Sequence, residues 1–222
     1  MFVTSSGTGV GKTYATCALA RALAAEGRDV RVLKPVISGF TAENLEESDS
    51  VQILRALGQE PTDAVVAAIS PWRFEAPLSP DMAAAREGRR VSFDDLVRFC
   101  RDEVMGHSGD TLIEGVGGVM VPLDETRTVL DWIAALELPA LLVVGSYLGT
   151  LSHTLTAVQA LRAHGCAIAG VVVSESEDQP VPLAETVATL KRFEPGIPIR
   201  VLPRVPAFEA DGRALLDLLV PS

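Results

Sequence analysis

The sequence predicts an α/β fold, a parallel β-sheet with helices on both faces, and three observations carry that prediction. Short apolar runs such as Ala140 to Val144 and Ile168 to Val173 suit strands buried on both sides. They alternate with stretches of helical periodicity, as crossover helices between parallel strands require. The first turn, Ser5-Ser6-Gly7-Thr8-Gly9-Val10-Gly11-Lys12-Thr13, lies between an apolar run, Phe2-Val3-Thr4, and an Ala/Leu-rich helix. Strand, glycine-rich turn and a helix opening on Gly-Lys-Thr is the context of a phosphate-binding loop. The expected fold class is therefore a P-loop NTPase-like parallel sheet, as a single domain over residues 1–222.

The elements follow in order. The first helix runs from about Thr13 to Glu26 and stops at Gly27. Val30 to Val36 is Val-rich and reads as a second strand, parallel to the first. Residues Ile37 to Asp49 are polar and loop-like, and a helix from Ser50 to Leu57 stops at Gly58. Pro61 to Pro80 is punctuated by prolines and reads as a strand and an irregular loop. Ser79-Pro80-Asp81 opens a helix with proline at its first position, ending at Gly88. Ser92-Phe93-Asp94-Asp95 resembles a capping box for a helix reaching Met105. Thr111 to Gly115 is a strand ending in an acid, and a helix spans Val129 to Leu136. After the strand at Ala140, Thr150 to His164 is helical. Beyond the strand at Ile168, Leu183 to Phe193 is helical, Ile199 to Leu202 is a strand, and Ala210 to Leu219 is a closing helix. Ligands of such sheets bind at the carboxyl ends of strands, so Ser5, Lys34, Glu114, Gly145, Ser174 and Pro203 are expected along one edge.

Composition narrows the function classes. At 48% hydrophobic and 22% charged the chain fills a globular core, and disorder is excluded. A net charge of -10 without a basic run argues against nucleic acid, so anions must be met by local cations such as Lys12 and Lys34. Cys17, Cys100 and Cys166 are far apart, with no metal-ligand spacing, which fits a reducing compartment. The chain opens directly on a strand and a phosphate loop and has no apolar run long enough to span a bilayer. A soluble cytoplasmic protein without membrane or nucleic-acid partners is expected.

Gly9 and Gly11 let consecutive backbone N–H groups face an anion, Lys12 reaches the outer phosphates, and Thr13 offers a hydroxyl to Mg²⁺. Lys34 has two readings: it stabilises charge on a transferring phosphoryl group, or it faces solvent at a strand end. Glu114 closes an apolar strand and needs a partner if buried. With Thr13 and Asp49 it would suit the oxygen ligation of Mg²⁺, although Asp49 also reads as a helix N-cap. Gly149-Thr150-Leu151 reads either as a plain helix start or as a carboxylate site.

Taken together, several blocks resemble the dethiobiotin synthetase family. They are Thr8 to Thr13, Lys34-Pro35-Val36 with Ser38-Gly39, Ser48-Asp49, Glu114-Gly115-Val116-Gly117-Gly118, and Leu148-Gly149-Thr150 with His153. The resemblance covers nearly the whole chain. It implies an ATP-dependent ligase that carboxylates 7,8-diaminopelargonic acid with CO₂ and closes the ring of dethiobiotin through a phosphorylated carbamate. By that resemblance Lys34, Lys12 and Thr8 are catalytic. Gly9, Val10, Gly11, Lys12, Thr13, Glu114, Gly115, Val116, Gly117, Ser174, Pro203, Arg204 and Val205 bind the nucleotide. Ser38, Thr150 and Leu151 bind substrate, the last two from the second subunit of a homodimer, and Thr13, Asp49 and Glu114 hold Mg²⁺. The family often has an adenine-reading Asn where this chain has Ser174, which offers fewer donor and acceptor sites, so the resemblance leaves the base preference open. The competing class, a nucleotide-switched positioning ATPase of the chromosome-partitioning kind, carries a lysine early in the loop, where this chain has Ser5, Ser6 and Gly7.

Overall fold

In a computed structural model, residues 1–206 and 209–219 are described. Strands β1 (Phe2–Ser5), β2 (Val30–Leu33), β5 (Asp110–Glu114), β6 (Ala140–Val144), β7 (Ile168–Ser174) and β8 (Ile199–Leu202) form one sheet in the order β2-β5-β1-β6-β7-β8. Every pairing in it is parallel. The two first strands are thus parallel but not neighbours, because β5 pairs with both. β1 sits centrally between β5 and β6, where the connections diverge to the two sides of the sheet. That divergence opens a crevice beyond its carboxyl end.

Alternation along the strands divides the core in two. Phe2, Leu33, Ile113, Leu142, Val171 and Val173 face a layer built from α5 (Phe93–Met105), α6 (Val129–Leu136), α7 (Thr150–Ala163) and α8 (Leu183–Phe193). In this layer the buried Trp132 meets Phe2 edge-on at 4.8 Å between ring centroids. Val3, Val32, Leu112, Leu141, Val143 and Val172 face the other way. They pack against α1 (Lys12–Ala25), Ile53 of α2 (Asp49–Ala56) and the 3₁₀ segment Arg213–Leu219.

Three local expectations are corrected. Val30 to Val36 is not one strand: β2 ends at Leu33, and the chain re-forms as β3 (Val36–Ser38) in a separate parallel pair with β4 (Trp72–Phe74). Pro35 has no N–H to continue the ladder, its carbonyl accepts from Trp72 N at 3.0 Å, and Lys34 N turns to Ile69 O at 3.0 Å. Within Pro61 to Pro80 a helix precedes the strand, α3 (Asp63–Ile69), capped by the Thr62 hydroxyl. The closing helix is a 3₁₀ segment, shorter than expected, while α4 (Pro80–Arg86) starts at its proline as expected.

Candidate active site

The phosphate loop leaves β1 at Ser5 and enters α1 at Lys12. Gly9 and Gly11 have φ of 73° and 88°, a region L-side chains enter at a cost. At Gly11 a Cβ would also lie 2.3 Å from Ser174 Oγ, so the loop packs directly on the end of β7. Gly118 backs the loop from the other side, where a Cβ would come within 3.0 Å of Gly7 N. Ser5 Oγ bridges the carbonyls of Gly7 and Gly117 at 2.7 and 2.8 Å. Val10 is buried and Thr8 is exposed at the tip.

Below the loop, charged groups form one knot. Lys34 is 1% exposed and Glu114 fully buried. The Lys34 ammonium donates to Glu114 Oε1 at 2.7 Å, Gly115 O at 2.9 Å and Asp49 Oδ2 at 2.8 Å, which uses all three of its protons. Burial alone would lower its pKa, but the Glu114 and Asp49 carboxylates outweigh burial and raise it. Burial would likewise raise Asp49, yet Lys34 and Lys12 bring it down to about 2. Lys12, 3.8 Å from Glu114 Oε1, is pushed down to about 8, first by burial and then by the Lys34 charge. The local reason for Asp49's position is its cap. Ser48, not Asp49, caps α2, accepting from Val51 N, so the Asp49 carboxylate is left for the site.

Thr13 Oγ1 lies 2.8 Å from both Asp49 Oδ1 and Glu114 Oε1, and Glu114 Oε2 is buried without a partner. One hydroxyl and two carboxylates next to the phosphate cradle are the hard oxygen donors that Mg²⁺ takes, with phosphate and water completing the shell. Among the described residues there is no group of three or more His, Cys, Asp or Glu side chains that could hold a metal ion.

Two cavities meet at the start of α1. One, of about 580 Å³, brings together Thr8, Gly9, Gly11, Lys12, Thr13, Lys34, Ser38, Asp49, Val116 and Gly117. The Ser38 hydroxyl is buried there without a hydrogen-bond partner. The other, of about 740 Å³, is lined by Gly9, Val10, Gly11, Ser174, Arg204 and Val205. Pro203 adjoins it through its carbonyl, which accepts from Tyr14 Oη at 2.7 Å. Thr150 and Leu151 line neither cavity, and the buried Thr150 hydroxyl donates to Gly145 O at 2.6 Å. Residues not anticipated from the sequence also line the site: Tyr14 in both cavities, and Ile37 and Pro77 to Pro80 in the first. The cluster of prolines was the available signal for that wall.

The chain matches a family model described as an AAA domain over residues 1–211. It is 54% identical over 192 residues to the ATP-dependent dethiobiotin synthetase of Acidiphilium cryptum, covering 86% of each chain. It is 47% identical to that of Methylobacterium nodulans, covering 96% of each, and 46% identical to that of Caulobacter vibrioides, covering 99% of this chain and 98% of the relative. Among solved structures it resembles the septum site-determining protein MinD of Pyrococcus horikoshii complexed with Mg-ADP. That likeness has a TM-score of 0.55 at 16% identity and covers 98% and 93% of the two chains. A chain of the MinC:MinD cell division protein complex of Aquifex aeolicus gives 0.56 at 16% identity, covering 96% and 85%. At such identity these neighbours speak for the fold alone.

Proposed function

From the premise that this chain belongs to the ATP-dependent dethiobiotin synthetase family, we propose how its own residues carry out the reaction. The chain is an ATP-using ligase of biotin biosynthesis. One observation carries the reading: a fully committed ammonium, Lys34, lines the same cavity as the phosphate loop and the unpartnered hydroxyl of Ser38.

The substrate is 7,8-diaminopelargonic acid, and CO₂ adds to one of its amines to give a carbamate. Lys34 can offset the carbamate's charge, and Ser38, in the same cavity, can donate to the substrate. A carbamate oxygen attacks the γ-phosphorus of ATP, the bond to the ADP oxygen breaks, and a carbamic-phosphoric anhydride results. The second amine then attacks the carbonyl carbon, phosphate leaves, and the cyclic urea closes. Lys12 and the N–H groups of Gly9 to Thr13 hold the phosphate oxygens, with Thr8 at the loop tip beside the reacting groups. Thr13, Asp49 and Glu114 would hold Mg²⁺, which supplies charge neutralisation at the phosphates when bound. Val116 and Gly117 line the phosphate site, with Gly115 behind them accepting from Lys34, and Ser174, Arg204 and Val205 line the base cavity, with Pro203 adjoining it.

The chain acts as one domain in the cytoplasm, without nucleic-acid or membrane partners. No helix among the described residues is long and apolar enough to cross a membrane. It functions as a homodimer in which Thr150 and Leu151 of one copy complete the other's substrate site. Support comes from Leu148, 84% exposed just before α7, and from the exposed Met82 and Met120. A coupled assay tests the reading: ATP should be consumed only when the diamine and bicarbonate are both present. Robust hydrolysis without the diamine, stimulated by DNA or lipid, would instead support a positioning ATPase.

A further inference from the structure

We infer that Tyr14 is a positioning residue for the nucleoside end of the nucleotide. Its hydroxyl latches the wall of the base cavity to the helix that carries the phosphate loop. The inference rests on the reading that the larger cavity receives the base.

Tyr14 follows Thr13 directly and lines both cavities. Its hydroxyl donates to Pro203 O at 2.7 Å and accepts from Val205 N at 3.1 Å. One oxygen thus makes two hydrogen bonds across 189 and 191 residues of sequence. The wall it holds, residues 203–206, is exposed and has no regular structure. Pro203 and Pro206 have no N–H, so only Arg204 and Val205 can donate from this backbone. Arg204 N is held by Glu175 Oε2 at 3.0 Å, and Val205 N is held by Tyr14. Without the hydroxyl the wall's backbone N–H groups keep only the Glu175 anchor, beside the exposed Arg204–Glu177 ion pair at 3.2 Å and the Glu209 N to Pro206 O bond at 2.8 Å.

An irregular segment that loses an anchor leaves more ordering to the ligand that binds it, and that ordering weakens binding. With both anchors, the wall and α1 are joined before the nucleotide arrives. Because both wall N–H groups are committed, this backbone offers a base only carbonyl acceptors, whose placement the latch maintains. The phosphate loop lies on the N-terminal side of Tyr14 and keeps its own contacts with Gly117 and Ser174 whatever the wall does.

The test compares ATP with inorganic tripolyphosphate, which lacks the nucleoside, on wild-type protein and on Tyr14→Phe. The substitution keeps the ring and removes one oxygen, and a thermal melt checks that the fold is retained. Loss of two hydrogen bonds should raise KM and Kd for ATP about tenfold, with kcat within about twofold and tripolyphosphate affinity unchanged. In the free protein the Val205 amide should exchange hydrogen faster in the variant. Equal weakening of ATP and tripolyphosphate would place the effect in the phosphate loop and overturn the latch. So would unchanged ATP affinity or unchanged Val205 exchange. If wild-type protein binds tripolyphosphate as tightly as ATP, the base-cavity reading itself fails, and the latch falls with it.

Discussion

At the scale of single residues, burial turns Lys34 from a catalytic candidate into a structural one as well. Lys34→Ala leaves Glu114 buried beside an empty volume, so it should destabilise the protein by about 3–5 kcal/mol in addition to stopping turnover. Chemical denaturation would read the loss, and the double variant Lys34→Met/Glu114→Gln should recover most of the stability and none of the activity. Lys12 gives a pH signature. Its folded value of about 8 lies below the ordinary 10.5, so at pH 9 it is largely neutral in the free enzyme. A triphosphate around it restores the proton, and binding should take up about one proton at pH 9 and almost none at pH 7. Titration calorimetry in buffers of different ionisation enthalpy measures this, and equal uptake at both pH values would count against it. The residue types were legible in sequence because Lys34, Asp49 and Glu114 end or begin apolar elements where a lone charge is costly. Tyr14 was not legible, since an aromatic residue in the first turn of a helix reads as core and its partners are 189 and 191 positions away.

At the scale of elements, the phosphate loop depends on backbone shapes that only glycine adopts cheaply. Gly11→Ala meets both a left-handed backbone costing about 1–2 kcal/mol and the Ser174 side chain, so ATP affinity should fall by more than tenfold. Adding Ser174→Gly should relieve the clash and leave the backbone cost, giving partial recovery in the same binding measurement. Elements with a single strong signal were legible to the residue: α6 and α8 run over Val129–Leu136 and Leu183–Phe193 as periodicity indicated. Those missed had competing signals. Val65 and Val66 favour strand, yet the Thr62 cap and the acid at Asp63 start a helix there. Val36 is β-favouring and sits in a strand, but Pro35 moves it to another sheet.

For the whole molecule, the parallel sheet was readable from alternating apolar strands and helices, and its strand order was not. Nothing local tells β5 to insert between β1 and β2, a matter of which buried faces fit. Assembly is likewise outside local pattern. As a homodimer the protein should sediment at twice 23.5 kDa. Leu148→Asp, at a side chain 84% exposed in one copy, should yield monomers that bind ATP normally and the diamine at least about tenfold more weakly. Monomeric wild-type protein with full activity would rule out a shared site.

The break at Pro35 has a consequence for how this enzyme's specificity can drift. Lys34 directly follows the last residue of a strand in one sheet and Ser38 ends a strand of the other, so the gap between ammonium and hydroxyl is a ruler marked by neither residue. Its length is set by how the β3–β4 pair leans, through the Lys34-to-Ile69 and Trp72-to-Pro35 backbone bonds. Replacements in α3 or β4 that never touch a ligand can therefore recalibrate which diamine fits, while the phosphate loop keeps its setting.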